Sequence, residues 1–173
     1  MAELIKKSAC EIVGLLKTGE ISIDDTLDAL EAQIEKIDPE INALPTLCFE
    51  RARAAARQGD RIDSVLSGIP VAIKDLTDVA GVRTTYGSML LVNHIPEQSD
   101  ILVERIEANG GIIYAKSYTP EFGTGGNTFN DVFGDTRIQH DVSRSAVGSS
   151  GGAAAALASG SAWLAQGSDL GGS

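Results

Sequence analysis

The chain has 173 residues, of which 43% are hydrophobic and 22% charged, a balance that suits one globular domain and excludes disorder throughout. Fourteen lysines and arginines stand against 24 aspartates and glutamates, and the net charge of −10 excludes binding of nucleic acid or an anionic membrane through bulk electrostatics. Two cysteines cannot make a disulfide framework, and no stretch is long and apolar enough to span a bilayer.

Residues 1–60 read as a helical packing region. Leu4, Ile5, Ile12, Leu15 and Leu16 recur at helical spacing, with Gly19 as a stop. Cys10 and Cys48 lie among apolar residues and are expected to be buried free thiols. Lys6, Lys7 and Glu11 interrupt any signal-peptide core, so a cytoplasmic location is expected. Ser22 opens a second helix, with Asp25 completing part of a capping box. Ile23, Leu27, Leu30, Ile34 and Ile37 form its apolar stripe, and Pro39 is expected to close it. A third helix covers about Phe49 to Gln58.

From Gly68 the pattern changes. Ile69 to Ile73 reads as a buried strand, ended by Lys74-Asp75. Asp100 to Ala108 reads as a helix stopped by Gly110-Gly111, and Ile112 to Ala115 as a second strand. Ser117 to Ser150 has little periodicity and reads as one long loop, a length that marks either a functional segment or elements the pattern does not register. Gly151 to Gly160 is an Ala-rich helix, and Ala162 to Ala165 a third strand. Strands alternating with helices predict an α/β fold, with helices on both faces of a sheet.

Chemistry concentrates at three places. Lys74 follows an apolar strand. Such a lysine ordinarily sits at a strand edge in water, but one held in a dry site loses its charge readily and can act as a base. Gly148-Ser149-Ser150-Gly151-Gly152 can be a hinge with an N-cap, an anion cradle, or a nucleophile elbow centred on Ser150. The elbow requires a downstream histidine, whereas His94 and His140 both precede it. Ser173 after two glycines is either a turn or a nucleophile whose backbone approaches the substrate closely. With no histidine near either serine motif, lysine is the candidate base. No Cys/His cluster has metal-ligand spacing.

Taken jointly, Gly68-Ile-Pro-Val-Ala-Ile-Lys-Asp75, Gly81-Val-Arg-Thr-Thr-Tyr-Gly-Ser88, Pro120-Glu-Phe-Gly123, Gly148-Ser-Ser-Gly-Gly152 and Gly167-Ser-Asp-Leu-Gly-Gly-Ser173 resemble the amidase signature family in order and spacing. The resemblance implies a mixed β-sheet flanked by helices, with residues 61–173 as the catalytic α/β part of a single domain. It implies a Ser–cis-Ser–Lys triad: Ser173 as nucleophile, Ser149 as the bridging serine on a cis peptide, Lys74 as base. Leu170, Gly171 and Gly172 correspond to the oxyanion-hole region, and Gly123 to the loop lining the acyl channel. Val147, Tyr118, Ile138 and Leu170 depart from residues common in the family. Neither metal nor cofactor is implied. The implied partner is a small-molecule amide, with no nucleic acid bound directly, no membrane, and self-association into a homo-oligomer left open.

The implied activity is hydrolysis of carboxylic amides. One alternative is the amidase subunit of a glutamine-dependent tRNA amidotransferase, which releases ammonia from glutamine and needs partner subunits. Another is a non-catalytic fragment or truncated paralogue. Family members are longer, so the chain is expected to be the N-terminal part of an amidase domain. A piece ending at its own nucleophile is expected to have little activity and an association-prone sheet edge.

Overall fold

The first two α-helices start where the sequence supplies side-chain caps. Ser8 Oγ accepts from Glu11 N (3.3 Å) and the Glu11 carboxylate accepts from Ser8 N (2.7 Å). Ser22 and Asp25 repeat the pattern at 3.1 and 2.8 Å, so the partial capping box expected there is complete. These caps open α1 (Ala9–Thr18) and α2 (Ile23–Ile41). The computed structural model describes residues 3–58, 61 and 63–172, so Ser173 lies outside the described residues.

After α2 the chain runs through β1 (Thr46–Leu47), α3 (Phe49–Ala56), β2 (Pro70–Lys74), α4 (Ile101–Ala108) and β3 (Ile112–Ser117). Two short hairpins follow, β4 with β5 (Phe129–Asn130, Gly134–Asp135) and β6 with β7 (Arg137–Ile138, Asp141–Ser145). Then come α5 (Gly151–Ala158) and β8 (Leu164–Ala165).

The main sheet has strand order β1-β3-β2-β8. β2 runs parallel to β3 and β8, while β1 is antiparallel to β3, so the sheet is mixed as expected. Every residue of β2 and β3 is buried, the condition of strands covered by helices. Ile12 and Leu16 of α1 and Leu27, Leu30 and Ile34 of α2 share one core with Val71, Ile73, Ile113, Tyr114 and Trp163. Each fully buried leucine or isoleucine contributes roughly 1.5–3 kcal/mol.

Several local expectations are corrected. Leu4 to Lys6 form a separate 3-10 turn, because Lys7 is extended ahead of the Ser8 cap. Pro39 does not close α2, which continues to Ile41 and ends at Asn42 in the left-handed conformation. A proline disrupts the turn before it, and the turn after it can remain helical. Cys10 is exposed: it lies two residues from buried Ile12, about 200° round the helix, and so faces outward. Cys48 is half-buried, with its thiol directed at Ile113 O (3.7 Å) and pushed by burial up to about 11. The segment after Ser117 is not one loop but holds a 3-10 turn (Glu121–Gly123) and both hairpins. Strands of two residues, and a β7 exposed at every position, carry no alternation for a pattern to register. Among the described residues no helix is long and apolar enough to cross a membrane.

Candidate active site

Lys74 ends β2 and is fully buried. A lysine without water must find its partners in the protein. Its Nζ donates to Ser149 Oγ (2.7 Å), Ser168 Oγ (2.9 Å) and Ser150 Oγ (3.0 Å). Its backbone N–H donates to Gln166 Oε1 (3.1 Å), tying the strand end to the segment after β8. Burial penalises the ammonium and holds Lys74 below the ordinary lysine range.

Ser149 and Ser150 reach Lys74 because α5 starts close against the chain that follows β3. A Cβ on Gly152 would lie 2.2 Å from Tyr118 N, and one on Gly151 would lie 2.1 Å from Thr128 Oγ1. Only glycine allows that approach. The Gly148–Ser149 peptide is cis, and Ser149 is buried. Val147, immediately before, points largely into solvent and does not crowd this bond. Ser150 occupies the N-cap position of α5 but makes no side-chain cap. Its hydroxyl instead donates to Ser168 O (3.1 Å) and accepts from Ser168 N (3.2 Å) and Lys74.

Lys74 and Ser149 are thus adjacent, while the position of Ser173 lies outside the described residues. Gly123 ends the Glu121–Gly123 turn at φ 70°, with its N–H on Pro120 O (2.9 Å). Leu170 and Gly171 are exposed, and the Gly172 N–H donates to Asp169 Oδ1 (2.5 Å). Tyr118, another departure from the family pattern, is buried, with its hydroxyl on Gly134 O. Sequence reasoning misses Ser168, whose only signal is a hydroxyl inside the terminal Gly167–Ser173 motif.

The cluster thus sets one buried amine against three serine hydroxyls. Among the described residues no three His, Cys, Asp or Glu side chains group as metal ligands. A cleft of about 660 Å³ lined by Ile34, Asp38, Asn42, Leu44, Phe133 and Arg137 is built from other residues than this cluster.

Residues 25–173 match the sequence profile of the Amidase family. The chain is 39% identical over 176 residues to a glutamyl-tRNA(Gln) amidotransferase subunit from Thermoanaerobacter pseudethanolicus, covering 99% of this chain and 36% of that protein. Among solved structures, 6-aminohexanoate cyclic dimer hydrolase complexed with substrate is similar at TM-score 0.86 and 29% identity, over 93% of this chain and 33% of the other. A bacterial aryl acylamidase of the amidase signature family is similar at TM-score 0.83 and 31% identity, over 90% and 34%. The chain spans about a third of the length of the relatives it matches. On its motifs, its sheet and this match, the chain belongs to the Amidase family.

Proposed function

We propose that the intact protein hydrolyses linear carboxamides through an acyl-enzyme, with Lys74 as base, Ser149 as relay and Ser173 as nucleophile. The observation that carries this reading is the 2.7 Å contact between the buried Lys74 Nζ and Ser149 Oγ. A neutral lysine keeps two N–H groups and gains a lone pair, so its contact with Ser149 reverses and that hydroxyl donates to Nζ. Ser168 and Ser150 then take the two remaining N–H groups and hold the amine in place.

In this mechanism Ser173 Oγ attacks the amide carbonyl as its proton passes to Ser149, whose own proton passes to Lys74. The tetrahedral oxyanion is met by backbone N–H groups of the terminal motif. Leu170, Gly171 and Gly172 are the donors on this reading. Collapse breaks the C–N bond, and the relay returns the proton to the leaving amine. Water then releases the acid by the same route. Gly123 lines the acyl side. The substrate is a small amide, and the protein acts in the cytoplasm without nucleic acid or membrane.

A second reading has a specific observation behind it. The relative at 39% identity is an amidotransferase subunit. On that reading the same site releases ammonia from glutamine only beside partner subunits.

The test is steady-state hydrolysis of aliphatic, aryl and glutamine amides by the intact protein. Lys74→Met is expected to lower kcat/KM by about 10²–10⁴, the usual contribution of a general base. Near-normal turnover in that variant removes lysine from the mechanism. Glutaminase activity that appears only with added partner subunits selects the second reading.

A further inference from the structure

A second buried lysine lies behind the candidate base. In the β2–β3 register Lys74 faces Ser117 and Ile73 faces Lys116. Side chains alternate along a strand, so Lys116 lies on the sheet face opposite to Lys74. Asp75 follows Lys74, and its N–H extends the ladder to Ser117 O (2.9 Å). Lys116 is fully buried and Asp75 nearly so, with Lys116 Nζ 3.8 Å from Asp75 Oδ1. Lys116 also donates to Thr77 O (2.5 Å) and Thr84 Oγ1 (2.9 Å). Asp75 in turn accepts from Thr85 N (3.1 Å) and Thr85 Oγ1 (2.5 Å).

None of these groups has a task in the hydrolytic steps. A buried ion pair is a poor source of stability, since apolar residues of similar volume often serve as well. Its value here is in what it ties together. Thr85 Oγ1 accepts from Gly87 N (3.0 Å), Tyr86 O accepts from Phe122 N (2.7 Å), and Ser88 Oγ donates to Glu121 Oε1 (2.7 Å). A continuous path therefore runs from the end of β2 through the 84–88 loop to the turn that carries Gly123. Tyr86 and Phe122 on that path both have positive φ, 53° and 50°, so each is held in a backbone conformation that non-glycine residues seldom adopt.

We propose that Asp75 and Lys116 are positioning residues, a buried lock that holds the strand end bearing Lys74 and the Phe122–Gly123 turn in one relative placement during turnover. This rests on the amide-hydrolysis reading for its kinetic consequence, but not for the lock itself. Small displacements of reacting groups are costly, about 10²-fold for 1 Å.

The test uses the intact protein with Lys116→Met, the paired variant Asp75→Asn/Lys116→Met, and Thr85→Val. Lys116→Met leaves a buried carboxylate unpaired and is expected to be the least stable. The paired variant removes both charges and is expected to recover thermal stability. In the paired variant and in Thr85→Val, amide hydrogen exchange at Thr85 and Gly87 is expected to quicken at least tenfold. In both, kcat on a small amide is expected to fall by about 10²-fold while KM moves less than about threefold. A folded paired variant with wild-type kcat overturns the proposal, as does unchanged exchange at Thr85 and Gly87. If no amide is turned over, or Lys74→Met stays active, the hydrolytic reading fails separately, and the exchange measurement still decides the lock.

Discussion

At Lys74, burial and hydrogen bonding act on one amine. Burial disfavours the ammonium and lowers its pKa from the ordinary 10.5, while hydroxyls accept its protons without adding a counter-charge. The active form of a base is the deprotonated one. Activity should therefore rise with pH along the acid limb, with a midpoint below 10.5. A kcat/KM–pH profile of the intact protein checks this, and a limb centred at the normal lysine value would contradict it. Lys74→Arg keeps a cation that cannot deprotonate in a protein. It is expected to lose about 10²–10⁴ in kcat/KM at every accessible pH, so a simple electrostatic role and a proton-accepting role part company there.

Two helices show how separately an element's stability and its chemical role can be perturbed. The Ser22 cap of α2 is exposed and distant in sequence from the serine motifs. Ser22→Ala is expected to cost about 1 kcal/mol by thermal or urea unfolding, with little change in turnover. Gly152 of α5 abuts the backbone of Tyr118, and any Cβ there must push the helix away from the sheet. Gly152→Ala is expected to cost roughly 1–3 kcal/mol and also to depress kcat, because Ser149 and Ser150 move with the helix start. Unfolding curves and initial rates on the two variants separate these outcomes; equal losses of activity in both would refute the distinction.

Across the whole molecule, stability rests on the shared core more than on surface charge. Leu30 is fully buried where α2 joins the core formed with the sheet, and Leu30→Ala is expected to cost about 2–5 kcal/mol. Arg53 joins α3 to α2 through Asp28 (2.8 Å) and Glu31 (2.6 Å), yet those carboxylates are largely solvated. Arg53→Ala is expected to cost no more than about 1 kcal/mol, and less at high salt. Denaturant titrations at two salt concentrations check both values.

What can be read in one dimension is what neighbouring residues decide together. Ser8 and Ser22 cap helices by bonding residues three places on, and Gly19 ends α1 by taking a left-handed conformation that glycine adopts without strain. The uniformly apolar run Ile69–Ile73 declares a covered strand, and the ordered spacing of Lys74, Ser149 and the terminal motif declares a family. Other features depend on residues brought from far along the chain. β1 is a strand only because β3 lies beside it, and the outward face of Cys10 is decided by what α1 packs against. Ser150 is drawn from a capping role to a lysine 76 positions earlier, and Ser168 reaches the same amine across 94. The Asp75–Lys116 pair follows the same rule, since strand register alone places those charges together on one buried face. Local hydrogen bonds and hydrophobic period act over a few residues and so are written in order along the chain. Desolvation and long-range pairing depend on which surfaces meet, and only folding decides that.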